Sequence, residues 1–347
     1  MIPIFLSYVN DMETKDQNTI DISRLTRFQK KQMFSLFERL SSENKETTAK
    51  SFTACPKCGE SHAYITRSGR TKGGKQLYLC HECRSRFVED IGRPSYYSRY
   101  DISAWKMFIE DTLEGKTLDE SAEKLGIQHS TAWSWRHKIM EMLSSFQNEI
   151  VLSDKSELDE KYFHKSHKGK EIEGMEPKRR GTPASKRGIS DDLICSLTGV
   201  SRDGGAFAEV HNMGKPSQDD VDNISCHFKD GTFFWIDGTN CYDRLIREKN
   251  GSSIKLKTWK EYNEKDHLNN VNSLHSKMEE RMLRCHGVAD KYLPRYCALW
   301  AKVHSLSGLD MFDKVRSILG LYAPNSKKKR PKTTELQTLN IFTGAAS

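Results

Sequence analysis

Two pairs of cysteines, in CPKC at 55–58 and CHEC at 80–83, have the spacing of a metal site. A two-residue spacer lets both thiolates of a pair reach one ion at ~2.3 Å, and two pairs complete a closed tetrahedron. The gap of 21 residues between the pairs is slightly longer than a four-cysteine zinc ribbon usually has, yet close to it. Cys55, Cys58, Cys80 and Cys83 are therefore expected to hold one structural Zn2+. Two unrelated redox or core pairs are the plainer alternative. His62 and His81 lie nearby, but four thiolates already satisfy the metal.

A second set of residues is built from carboxylates. Asp159 sits in SELDEKYF, where an extended run meets a basic loop, and Asp237 ends the apolar run TFFWID before Gly238. An apolar run ending in Asp-Gly is what a buried strand looks like when it delivers a carboxylate to a sheet edge. Alone, each reads as a strand-end turn residue. With a third polar ligand on a later helix they suggest an RNase H-like site. There, carboxylates hold two divalent ions for an in-line phosphoryl transfer. Mg2+, or Mn2+ in its place, suits oxygen ligands and phosphate substrates.

The elements that must position these groups follow from local pattern. Residues 24–44 carry a helical apolar stripe, so residues 1–50 are expected to form an N-terminal helical segment. Within 51–95, the runs AYIT and KQLYLC, joined by the turn-rich SGRTKGG, predict a hairpin between the knuckles. Residues 98–148 read as a helix-turn-helix: TLDESAEKLGI, a turn at Gly126, and QHSTAWSWRHKIMEML. Ser130 or Thr131 is the expected cap of its second helix, whose start enters a major groove in such motifs. Gln128, His129, Ser130, Thr131, Ser134 and His137 are then candidate base readers, and Arg136 and Lys138 candidate phosphate contacts. Trp133 and Trp135 read as packing residues, and a plain helical hairpin is the simpler alternative. From 150 to 322 strands and helices mix, with a basic, Gly-rich insert at 164–188. Residues 323–347 form a basic tail.

Composition fits these assignments. The chain has 347 residues, 36% of them hydrophobic, and no run long and apolar enough for a membrane span. The start MIPIFLSYVNDME lacks a basic leader and is not read as a signal peptide. The nine cysteines, odd in number outside the knuckles, suit a reducing cytoplasm rather than a disulfide scaffold. The net charge of +8 says little, but its distribution is telling. Segment 57–99 has nine basic and four acidic residues, and 165–187 has eight and three. Such clusters suit a polyanion, and Lys178, Arg179, Arg180, Lys186 and Arg187 are the insert's candidate phosphate contacts. Solvated surface is the bland reading of any one cluster.

The order of zinc ribbon, helix-turn-helix, LDEKYF, KRGIS, WIDG, HLNNVNSLHSKM and HGVADKYL resembles the bacterial transposases of insertion-sequence family 1595. The resemblance covers about residues 55 to 305, and HGVADKYLPRY is its most distinctive part. It implies a DDE-type catalytic domain whose third member is often Asn or His in place of Glu. Asp159, Asp237 and Asn272 match the three positions. Two departures stand out. Asn269 replaces a frequent Gln, and Glu279 stands where many relatives carry a Lys seven residues after the third member. At ~100° per residue, Asn272, His275 and Glu279 fall within roughly 60° on one helix flank.

The expected fold is therefore multidomain α+β and α/β. It comprises an N-terminal zinc ribbon, a helical helix-turn-helix, and a C-terminal RNase H-like mixed sheet with flanking helices. The expected function is a bacterial, nucleoid-associated DNA transposase. It would bind the inverted-repeat ends of a mobile element, cleave a strand, and join it to target DNA, acting as a dimer or larger. The alternative is a catalytically impaired relative that only binds DNA, a reading that Glu279 favours. A zinc-ribbon transcription or RNA-binding factor would leave the later motifs idle.

Overall fold

The computed structural model describes residues 52, 54–96, 98–166 and 188–321. The expected N-terminal segment, the insert residues Lys178, Arg179, Arg180, Lys186 and Arg187, and the C-terminal tail lie outside the described residues.

Strands β1 (Ile65–Arg70), β2 (Gln76–Cys80) and β3 (Arg86–Val88) form a small antiparallel sheet in the order β1-β2-β3. This is the hairpin expected between the knuckles, with a third strand beyond it. Its core is small: Cys55, Ala63, Tyr78, Cys80, Phe87 and Ile91 are the buried apolar residues.

Three helices follow. α1 (Ile102–Glu114) is capped by Asp101, whose side chain accepts from Ala104 N at 2.9 Å. α2 (Leu118–Leu125) starts on a reciprocal capping box between Thr117 and Glu120 and ends at Gly126, in the left-handed region at φ 61°. α3 (His129–Ser145) begins one or two residues before the expected caps. Gln128 is its N-cap and supplies no side-chain bond, so neither Ser130 nor Thr131 caps it. Trp135 is buried and stacks on Trp105 at 4.1 Å, while Trp133 packs against His137.

The larger sheet contains β4 (Lys155–His164), β5 (Leu193–Ser201), β6 (Ala206–Met213), β7 (Phe233–Ile236) and β8 (Ser252–Lys255). Their order is β6-β5-β4-β7-β8. The β6-β5-β4 pairs are antiparallel; β4-β7 and β7-β8 are parallel. It is the mixed sheet expected. The short helices α4 (Gln218–Asn223) and α5 (Asp243–Glu248) contribute Val221, Leu245 and Ile246 to a core over one face, with Leu158, Leu197 and Phe234. Helices α6 (Asn269–Arg284), α7 (Leu293–Ser305) and α8 (Met311–Leu319) join the core over the other face. No helix among the described residues is long and apolar enough to cross a membrane.

The packing does not divide near residue 149, where the sequence pattern changes. One apolar cluster takes Trp105 and Phe108 of α1, Ile139 and Met140 of α3, Phe163 of β4, Val271 and Leu274 of α6, and Trp300 of α7. Arg281 of α6 also donates to the carbonyl of Leu113 at the end of α1, at 2.9 Å.

One buried group sets the position of α6. The Glu157 carboxylate, on β4, is fully buried and accepts from the backbone N–H groups of Asn270 and Val271, each at 2.9 Å. It also accepts from Asn270 Nδ2 at 2.9 Å, and Arg202 lies 3.2 Å away. The N-cap residue Leu268 makes no side-chain cap of its own, so a strand carboxylate satisfies the orphan donors at the helix start. Arg202 lies over the Trp235 ring at 4.1 Å and donates to the carbonyls of Lys265 and His267. Breaking a buried pair from one side costs about 3–5 kcal/mol. Glu157→Ala is expected to lose stability of that order in denaturant titration, with Glu157→Gln losing less because the amide oxygen still accepts.

Candidate functional site

The larger sheet explains why two distant carboxylates meet. In the parallel β4-β7 ladder, Leu158 pairs with Ile236, so the next residues on the two strands are Asp159 and Asp237. Side chains alternate along β4. Glu157, Asp159 and Lys161 share the face covered by α6, where they face Asn270, His275 and Glu279 in turn. Leu158 and Tyr162 join the opposite core, and Glu160 lies near Cys241 of that side, 3.4 Å from its Sγ. Asp159, Glu160 and Asp237 each offer an oxygen, and these oxygens lie within 4.8 Å of one another.

Glu160 was not anticipated. Its signal was present: it follows Asp159 directly, at the point where the strand passes Asp237. Burial raises the Glu160 carboxyl above its usual range, with the Asp237 charge adding to the rise. Burial likewise pushes Asp159 up to about 7, reinforced by Glu160 and by Asp237. Two acids that resist ionising, with the Asp237 carboxyl beside them, are a donor set that gains from a cation between them.

His275 faces the same carboxylate. Thr198 Oγ1 donates to the Asp159 carbonyl at 2.7 Å and lies 2.7 Å from His275 Nε2. With its hydrogen committed, the hydroxyl must accept from Nε2–H. Burial lowers the His275 pKa to about 3, helped by the Lys161 charge, so the ring is neutral. Nδ1 then turns a lone pair toward Asp159 Oδ2, 3.7 Å away, which is too long for a hydrogen bond.

Asn272 is exposed on α6, one turn before His275 and near Tyr262. Burial raises the Tyr262 phenol, and the charges of Asp159, Glu157 and Asp237 act on it in the same direction. Glu279 lies two turns after Asn272 and pairs with Lys161. The pattern on α6 alone made Glu279 an unmatched negative charge; its partner comes from β4, which no helical spacing reveals.

The four ribbon cysteines converge, with sulfurs within 4.8 Å of one another and Cys55 Sγ 3.8 Å from Cys83 Sγ. A tetrahedron with ~2.3 Å arms has edges of about 3.8 Å, so the sulfurs fit a zinc ion. Burial raises Cys55 to about 12, whereas hydrogen bonds from Ser85 lower Cys83 to about 6.

At the start of α3, Gln128, His129 and Ser130 are exposed and Thr131 is half-buried; His129 Nδ1 lies 2.6 Å from Asp119. Farther along, the expected contacts turn inward. Arg136 is buried, donates to the Lys116 carbonyl at 2.8 Å and lies over Phe108. His137 is buried between Trp133 and Tyr292, and Lys138 donates to the Tyr96 carbonyl. The expected roles of Arg136, His137 and Lys138 as DNA contacts are thus corrected. Their side chains hold α3 against its neighbours.

No family model matches the chain. No curated protein matches it. Among solved structures it is similar to the Mos1 transposase paired-end complex with left transposon end. The identity is 12%, covering 65% of this chain and 81% of that one, with a TM-score of 0.26. For the Mos1 strand transfer complex the values are 13%, 65% and 75%, with a TM-score of 0.26. For the Mos1 mariner paired-end complex with Mn they are 11%, 65% and 81%, with a TM-score of 0.25.

Two outcomes are expected. The ribbon's core is too small to stand without its ion. Chelation, or Cys58→Ser, should unfold this segment, read as rapid proteolysis within 54–96 while 102–319 persists. Second, folded Asp159 binds its proton more tightly than the unfolded chain, whose value is near 3.8. Its contribution to stability is full below about 4 and lost as pH rises through about 7. At pH 8 without divalent metal, Asp159→Asn should therefore melt at a higher temperature than the native chain. Mg2+ or Mn2+ should raise the native midpoint and leave that of the variant unmoved.

Proposed function

We propose that this protein is a metal-dependent DNA strand transferase of the transposase type, with Asp159, Asp237 and Asn272 as its catalytic positions. The observation that carries the reading is the adjacency of Asp159 and Asp237 on neighbouring parallel strands, with a third carboxylate beside them. The sheet order, three antiparallel strands followed by two parallel ones, supports the RNase H-like reading.

Bound at the carboxylates, a pair of Mg2+ or Mn2+ ions supplies an activated water or 3′-hydroxyl and stabilises the leaving oxygen. Asp159 and Asp237, with Glu160 beside them, would hold the ions. Asn272 adds a neutral oxygen, and His275 offers a nitrogen lone pair on the Asp159 side. Thr198 holds the tautomer that makes this possible. Lys161 brings a positive charge within reach of a bound strand, and Glu279 offsets it. The exposed start of α3, with Gln128, His129, Ser130 and Thr131, reads the DNA ends, and the ribbon and the basic insert follow its backbone. Cutting and joining two ends requires two active sites, so the working form is at least a dimer, in the bacterial nucleoid.

The test is a cleavage assay with Mg2+ or Mn2+ on DNA carrying the element's own ends. Asp159→Ala and Asp237→Ala should keep binding and lose cleavage by more than the roughly 10–100-fold that an outer partner of a metal ligand costs. An exposed ion pair contributes up to about 1 kcal/mol, so Glu279→Gln should change the rate by about fivefold at most. A native chain that leaves its correct ends intact, and gains cleavage as Glu279→Lys, would instead be the impaired DNA-binding relative.

A further inference from the structure

Trp259 is the most exposed large hydrophobic residue among those described, at 77%. Its ring has no aromatic, cationic or hydrogen-bonding partner there. Full exposure of an indole is unfavourable, and a lone ring is far smaller than the several hundred Å² of a protein-docking patch. What it matches in size is one flat partner.

The turn that carries it is held firmly. Trp259 heads a single helical turn, Trp259–Glu261, between buried Leu256 and half-buried Tyr262. The Glu261 carboxylate accepts from Lys257 N at 2.8 Å and from Thr258 Oγ1 at 3.3 Å, and Tyr262 N donates to the Trp259 carbonyl at 3.2 Å. The same turn borders the carboxylate site on two sides. Lys257 packs on the glycine after Asp237: a Cβ at Gly238 would stand 2.8 Å from Lys257 Cγ. Tyr262, half-buried at the end of the turn, lies close enough to Asp159 and Asp237 for their charges to raise its phenol. Lys257 and Lys260, both exposed, flank the ring in sequence, while the Glu261 carboxylate is occupied within the turn.

We propose that Trp259 is a stacking platform for an unpaired nucleobase of the strand whose phosphate enters the carboxylate site, with Lys257 and Lys260 on the adjoining phosphates. This rests on the DNA-processing reading above. Stacking of a base on an aromatic ring tolerates any sequence, because every base has a π-face, and it rewards only a base free of its own pair. The platform would therefore favour frayed or opened ends over closed duplex.

The experiment measures binding of the full chain to fluorescent DNA by anisotropy, with Ca2+ replacing the catalytic ion. One probe is a blunt duplex; the other has the same sequence with a short single-stranded flap. The native chain is expected to prefer the flap. Trp259→Ala should weaken flap binding roughly 5- to 100-fold and leave blunt-duplex binding unchanged, while Trp259→Phe keeps most of the preference. Abasic sites in the flap should bring native and Trp259→Ala chains to equal affinity. Equal losses on both probes, or none on the flap, would overturn the assignment. So would a monomer–dimer equilibrium that shifts with Trp259→Ala, which would make the ring's occupant a second copy of the chain. A chain that cleaves its ends with metal but shows no Trp259 dependence loses only the platform; one that binds neither probe loses the DNA-processing reading with it.

Discussion

A single buried carboxylate holds the candidate site together. Glu157 is taken out of water by the β4 strand and compensated by two helix-start amides, the Asn270 side chain and Arg202. Buried charge is tolerated only where donors converge on it, so the pairing fixes both where α6 begins and how it is turned. The rotation of α6 decides that His275 faces Asp159 and Glu279 faces Lys161. Neither contact needs further explanation once the first turn is anchored.

The same strand shows a tension between folding and chemistry. One face of β4 carries Glu157, Asp159 and Lys161 in alternation, a charged row where an apolar one would pack more cheaply. Glu157 and Lys161 are each answered by a partner on α6. Asp159 is not: its carboxylate accepts from the neighbouring Glu160 N–H at 2.9 Å, the α6 group facing it is the His275 lone pair, and two more carboxyls crowd it. A local rule broken at one position, inside an otherwise satisfied neighbourhood, is the pattern of a site kept for function.

Much of this was legible along the chain. The knuckles, the strand runs around Asp159 and Asp237, and the α6 stripe are all local patterns, and the folded elements fall on them. The α3 face was misread for the opposite reason. Arg136, His137 and Lys138 look like contacts in a helix read alone, but their environment is set by Lys116, Tyr292 and Tyr96, distant in sequence. Glu160 was passed over because strand alternation sends it to the far face. Only the end of β7 brings Asp237 within reach of both faces. Lys161, as the partner of Glu279, depends on a contact 118 residues away in sequence, which no window of the chain contains.

The apolar cluster that runs from α1 and α3 into α6 and α7, with Arg281 closing on the end of α1, limits how such a chain can evolve. A helical unit with its own core can be traded between proteins as a cassette, and its specificity changes wholesale in one event. Here an exchange cut near residue 149 would expose half of a common interior on each side. If the exposed start of α3 reads DNA as proposed, new preferences would have to arise by point changes there, while the face shared with α7 stays as it is. Change on that face would be gradual and tied to the lineage of the half that carries the larger sheet.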